Sequence, residues 1–144
     1  MEILIVIFVI LSLVGSISVL KPSSKMKALS AIRHIASKEG FKIGSTQILR
    51  KKLKSWTPQV AIYQIKNDSP FKDMHFVREE NSLILYAPMS LKYDEQFPVV
   101  QEKILRLPNS ILEIIFFQSN IAIVWNEMQG REELLKIKAA ILNI

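Results

Sequence analysis

Histidine and carboxylate side chains occur close together at one place in the sequence, around His75. Asp73 lies two residues before it, and Glu79 and Glu80 follow it. An imidazole beside a carboxylate can serve acid–base chemistry, but a metal site needs three or four converging ligands. The other histidine, His34, is far away in the sequence. We therefore interpret the segment as a solvated hairpin with an ordinary histidine, and we predict no metal site.

The motifs of several enzyme classes are missing. The chain has no cysteine, which excludes disulfides, thiolate zinc sites and a cysteine nucleophile. Its glycines are too few and too far apart for a dinucleotide fingerprint or a P-loop: Gly15, Gly40, Gly44 and Gly130. No G-x-S-x-G sequence marks a hydrolase nucleophile. We predict that the protein is not an enzyme, has no catalytic residues and uses no cofactor.

Basic charge is concentrated in residues 21–54. This segment holds ten basic residues and one acidic residue, whereas the whole chain has a net charge of +6. A polybasic segment near a membrane attracts anionic lipid headgroups by about 1 kcal/mol per residue. The residues predicted to bind lipid or a partner are Lys21, Lys25, Lys27, Arg50, Lys51, Lys52, Lys54 and Trp56. The alternative is that these charges only set membrane topology. Nucleic acid is not expected, because no RNA- or DNA-binding signature accompanies Trp56.

An apolar run at the N-terminus precedes the basic segment. Residues 3–20 contain fourteen Val, Ile, Leu and Phe residues and no charge. At about 1.5 Å per residue the run spans about 27 Å, close to a hydrocarbon core of about 30 Å. We predict a transmembrane anchor over 1–20, in which Ser12, Gly15 and Ser16 allow close helix packing. A cleaved signal peptide is the alternative, but the basic n-region that it needs is missing.

The distribution of charge also predicts an orientation. Only Glu2 precedes the apolar run, and the basic segment follows it. Because Lys and Arg near a membrane stay on its cytoplasmic side, we predict an N-terminus outside and a domain in the cytoplasm, at a bacterial inner (cytoplasmic) membrane.

Residues 21–24 form the predicted linker, and residues 25–144 form the predicted cytoplasmic domain. Hydrophobic periodicity and turn residues predict its elements: a helix over Lys25–Glu39, strands over Phe41–Leu49 and Val60–Ile65, a hairpin of His75–Val77 with Leu83–Tyr86, a helix near Pro98, a hairpin of Ile111–Phe117 with Ile121–Trp125, and a C-terminal helix from Glu132. Consecutive short strands predict an α+β fold, with a mostly antiparallel sheet and about three helices on one face.

One resemblance to a known family lies at the junction Leu20-Lys21-Pro22-Ser23-Ser24-Lys25-Met26-Lys27. A hydrophobic span that runs into a proline and then a basic helix resembles the start of YajC, a small single-pass accessory subunit of the bacterial Sec translocase. The resemblance covers about 30 of the 144 residues. It implies a similar bacterial inner-membrane layout. A role in protein export does not follow from it, because the Gly-rich β-segment of that family is missing here.

Taken together, these features predict a membrane-anchored, non-enzymatic accessory protein whose cytoplasmic domain binds another protein. The alternative function is an anionic-lipid-binding or sensory module that uses the basic face. A third, an enzyme that acts on a membrane substrate, would require a deep polar pocket around His75 or His34.

Overall fold

The computed structural model describes the backbone of residues 1–20, 24–44, 46–58 and 60–144, and the side chains of the same residues except 15–20. It divides the chain into two compact units, residues 1–30 and residues 31–144. Most of the predicted linker, including Lys21, lies outside the described residues.

The first unit contains helix α1 (Glu2–Leu20). The side chains of its residues 3–14 are exposed. Within the part of the chain whose side chains are described, no helix is both long enough and apolar enough to cross a membrane. The predicted transmembrane anchor over 1–20, and the single-pass membrane assignment that rests on it, are therefore wrong.

The second unit is built on a six-stranded sheet in which every neighbouring pair is antiparallel. The spatial order of the strands is β1-β2-β6-β5-β3-β4. Their bounds are β1 Lys42–Ile43, β2 Ala61–Lys66, β3 Met74–Glu79, β4 Ser82–Ala87, β5 Ile111–Phe116 and β6 Asn120–Trp125. Both predicted hairpins are present, as β3–β4 and β5–β6. Residues 31–144 therefore have the predicted α+β, antiparallel character.

Successive side chains of the strands alternate between two hydrophobic cores. In β6, Ile121, Ile123 and Trp125 belong to the larger core, whereas Ala122 and Val124 belong to the smaller one. Helices α2 (Ser24–Lys38, from its second half), α4 (Phe97–Leu105) and α5 (Arg131–Leu142) contribute buried residues to the larger core. Helix α3 (Gln47–Lys52) contributes to the smaller core.

The position of α3 corrects two predictions. After α1 the described residues form four α-helices rather than about three, and α3 lies on the sheet face opposite α4 and α5. The predicted strand over Phe41–Leu49 is a strand only at its start. Gly44, with φ +104°, adopts a backbone conformation that ends β1, and the side chain of Thr46 caps α3 by accepting the N–H of Leu49 at 3.2 Å.

Candidate functional site: a lysine-rimmed pocket

A pocket of about 500 Å³ lies at the end of the sheet where β3 begins and where β4 and β5 end. The last turn of α3 and the residues that follow it form the basic side of the pocket. Its lining residues are Lys51, Lys52, Lys54, Asp73, Met74, His75, Tyr86, Ala87, Pro88, Ile115, Phe116 and Phe117. The pocket thus combines three lysines, one histidine and an apolar floor.

A buried contact between the side chains of Glu113 and His75 lies beneath the pocket. Glu113, in the middle of β5, is fully buried and lies in contact with Nε2 of His75. Its carboxylate also accepts the backbone N–H groups of Lys54 at 2.8 Å and Ser55 at 2.6 Å. Because a buried carboxylate requires such donors, these contacts fasten the segment after α3 to the centre of the sheet.

The lysines of the pocket lie against aromatic rings. The ammonium of Lys54 is 5.1 Å from the ring centre of Tyr86, and that of Lys52 is 5.5 Å from the ring centre of Phe117. Among the described residues, neither of these lysines nor Lys51 pairs with a carboxylate side chain. The pocket therefore presents three cations, of which Lys52 and Lys54 lie against aromatic rings and none forms an ion pair among the described residues.

The protonation of Lys54 is reinforced by its surroundings. Its side-chain interaction with Tyr86, together with a smaller contribution from the charge of Glu113, raises the pKa of Lys54 above the ordinary lysine value. The raised pKa keeps Lys54 cationic at neutral pH. A lysine nucleophile requires the opposite shift, since only the neutral amine attacks.

Asp73 is the one acidic residue whose side chain is exposed at the rim. Its carboxylate accepts a hydrogen bond from the side-chain amide of Gln118. The φ of Asp73 is +56°, in the left-handed region that aspartate tolerates better than most residues. The backbone at this position turns immediately before β3 and brings His75 into the sheet.

A second buried polar cluster lies elsewhere, around Glu127. Arg33 of α2 donates two hydrogen bonds to its carboxylate, each 2.8 Å long, and the hydroxyl of Tyr63 donates a third at 2.6 Å. Burial alone would raise the pKa of Glu127, but these hydrogen bonds outweigh it and lower that pKa. Burial raises the pKa of Tyr63, and the bond to Glu127 raises that of Arg33. None of the buried side-chain polar atoms of this cluster lacks a hydrogen-bond partner, so we interpret the cluster as structural.

The residues predicted to bind lipid or a partner are divided between the two units. Lys25 and Lys27 belong to the first unit, and the residues from Arg50 to Trp56 belong to the second. In the second unit the guanidinium of Arg50 lies 5.2 Å from the ring centre of Trp56, outside the lining of the pocket. Lys51, Lys52 and Lys54 are the predicted residues that the structure brings together.

The residues predicted to pack the anchor lie in α1. The hydroxyl of Ser12 donates to the carbonyl of Phe8 at 2.9 Å, a bond within the helix. Gly15 and Ser16 fall in the part of α1 whose side chains are not described.

Sequence reasoning missed the partner of His75. The sequence places Asp73, Glu79 and Glu80 near this histidine, but the contacting carboxylate is Glu113, 38 positions away. One signal was available: Glu113 is the only charged residue in the apolar run Ile111–Phe117. A lone charge in a buried strand requires a partner. In the described residues no group of three His, Asp or Glu side chains is placed to hold a metal ion.

Comparison of the chain with protein-family models, with curated proteins and with solved structures finds no match. The pocket must therefore be interpreted from its own geometry and charge.

Proposed function

We propose that residues 31–144 form a non-enzymatic interaction domain that binds an acidic segment of another protein in the lysine-rimmed pocket. The observation that carries this proposal is the convergence of Lys51, Lys52 and Lys54 on one concavity, where none of them forms an ion pair with a carboxylate among the described residues. Such a cluster attracts carboxylate groups and raises their local concentration.

The shape of the site favours a peptide segment over a membrane surface. The pocket is concave, its volume of about 500 Å³ suits one or two side chains, and its apolar floor includes Ile115 and Phe117. A lipid headgroup layer is flat and is met by a convex basic face. An acidic residue next to an apolar residue matches both parts of this pocket.

The chemistry of the site favours binding over catalysis. Nε2 of His75 is engaged with Glu113, which is in turn fixed by two backbone N–H groups. Lys54 has a raised pKa, which disfavours the neutral amine that covalent catalysis needs. Among the residues that the structure describes, the lining contains no serine or threonine. These features support a binding site rather than a catalytic one.

The test measures binding of a fluorescein-labelled hexaglutamate peptide to the full chain by fluorescence anisotropy. Replacement of Lys51, Lys52 and Lys54 by Gln removes up to three exposed ion pairs, each worth about 0.2–1 kcal/mol, so affinity should fall by about 3-fold to about 150-fold. The matched control replaces Lys38, Lys42 and Lys92, which are exposed and lie outside the lining of the pocket. This control variant has the same net charge as the pocket variant and should bind the peptide as the wild type does.

Two results would overturn the proposal. Equal weakening by the pocket variant and the control variant would mean that net charge, not the pocket, attracts the peptide. Binding of phosphatidylglycerol vesicles that depends on the three pocket lysines, without binding of the peptide, would replace the protein partner by a lipid surface.

A further inference from the structure

Strand β4 forms one outer edge of the sheet. Its only strand neighbour among the described residues is β3, with Ile84 opposite Val77 and Leu85 opposite Phe76. Alternate residues of such a strand point their N–H and C=O groups away from the sheet, where another strand can bind them. The opposite edge, β1, is only two residues long.

The composition of β4 leaves this edge unprotected. Natural edge strands are commonly protected by charged residues, proline or bulges that prevent pairing with another chain. The six residues of β4, Ser-Leu-Ile-Leu-Tyr-Ala, include no charge, no proline and no glycine. A register shift against His75 and Phe76 leaves Tyr86 without a partner on β3, so the regular part of the edge is residues 82–85. Ile84 is 39% exposed and Tyr86 is 45% exposed, on the sheet face that carries the pocket. The edge is thus apolar, and its regular part carries none of the protecting features.

The two ends of β4 carry opposite charges. Glu79 and Glu80 lie at the turn that precedes the strand, and both are exposed. At the other end, the ammonium of Lys54 lies over the ring of Tyr86. When two copies of such a strand pair antiparallel, the acidic end of each copy lies beside the basic end of the other.

We propose that a second copy of this chain pairs with β4 through its own β4, antiparallel and around a twofold axis perpendicular to the sheet. This interface is self-complementary, as a twofold interface requires. It places Ile84 and Tyr86 of both copies on one face and brings Glu79 and Glu80 of each copy towards Lys54 of the other. The proposal goes beyond the binding function above, because Lys51 and Lys52 remain available to a ligand.

The first test follows the monomer–dimer equilibrium of the full chain by sedimentation velocity over a concentration series. Ile84→Lys places a charge in the middle of the edge and should abolish the dimer. The matched control is Val99→Lys on α4, where the side chain is also exposed, at 51%. It should leave the equilibrium unchanged. A chain that is monomeric throughout, or a dimer that survives Ile84→Lys because it forms through another surface such as α1, would overturn the proposal.

The second test uses the absence of cysteine from the chain. In this pairing the same face of each sheet lies on the same side of the dimer. Ile84 is therefore opposite either Ile84 or Tyr86 of the second copy. Ile84→Cys chains, alone or mixed with Tyr86→Cys chains, should therefore form disulfide-linked dimers under mild oxidation. Val99→Cys chains should not. If neither β4 sample forms linked dimers faster than Val99→Cys does, the strands are not adjacent.

The third test concerns the charges. The double variant Glu79→Gln with Glu80→Gln removes the acidic end from both copies and should raise the dissociation constant of the dimer about fourfold or more. Added salt should also raise the dissociation constant of the wild-type dimer. Glu95→Gln with Glu102→Gln serves as the matched control. A dimer that is equally strong in both double variants would refute the proposed antiparallel register.

Discussion

The carboxylate of Glu113 in β5 accepts the backbone N–H of Lys54 at 2.8 Å, across 59 positions of the sequence. This bond connects the centre of the sheet to the segment that carries the lysines of the pocket. The same carboxylate contacts His75, so a single buried residue positions the basic rim and the histidine together.

Glu113→Gln should therefore destabilise the domain. An amide has one accepting oxygen, so at least one of the donors now bound to Glu113 is left buried without an acceptor. The expected loss is about 1–3 kcal/mol in the free energy of unfolding, measured by urea denaturation. The control is Glu102→Gln, whose side chain is 67% exposed and pairs with Arg106 on the surface. It should cost about 0.5 kcal/mol or less. Equal losses in the two variants would contradict the role of Glu113.

The Arg33–Glu127–Tyr63 cluster should make stability depend on pH in acid. Its hydrogen bonds hold the pKa of Glu127 below the ordinary value of 4.5, so the unfolded chain binds a proton more readily than the folded protein. The stabilisation is therefore complete above about pH 5 and is lost as the pH falls through the lowered pKa.

Urea denaturation of the wild type and of Glu127→Gln between about pH 7 and about pH 3 measures this contribution. The variant should be less stable by about 1–2 kcal/mol at neutral pH, because Gln keeps only part of the hydrogen bonding. The difference between the two proteins should shrink in acid. A difference that stays constant with pH would show that Glu127 does not titrate with folding.

Tyr86 should control the protonation of Lys54. Since its side-chain interaction raises the pKa of Lys54, Tyr86→Leu should lower that pKa towards the ordinary lysine value of 10.5. Titration of the lysine side chains by heteronuclear NMR measures the change, and Lys92, which is exposed outside the pocket, provides an internal reference. An unchanged titration of Lys54 would mean that the contact with Tyr86 does not persist in solution.

Local patterns predicted the hairpins and α4 correctly. Their signals are short in sequence: polar turn residues between apolar runs, and Pro98 in the first turn of a helix. The composition of Phe41–Leu49 predicts a strand, but the composition of so short a segment does not distinguish strand from helix. There Thr46, as an N-cap, was the overlooked signal.

The site was predicted only in part, for a different physical reason. Lys51, Lys52 and Lys54 are adjacent in the sequence, so their charge density is visible without a fold. The contact between His75 and Glu113 depends on the pairing of β3 with β5, in which His75 lies opposite Ile115. Composition carries no information about that register. The placement at a bacterial inner membrane and the resemblance to YajC stay predictions.

The unequal size of the two cores has a consequence for local unfolding. The smaller core beneath α3 holds six buried residues, whereas the larger core holds most of the others. A short helix on a small core opens at a lower free energy than the global transition, so its amides exchange hydrogen with solvent sooner than those of β5 and β6. Because α3 leads directly into the basic rim, each opening also disperses the lysines, and any ligand that they hold slows this exchange.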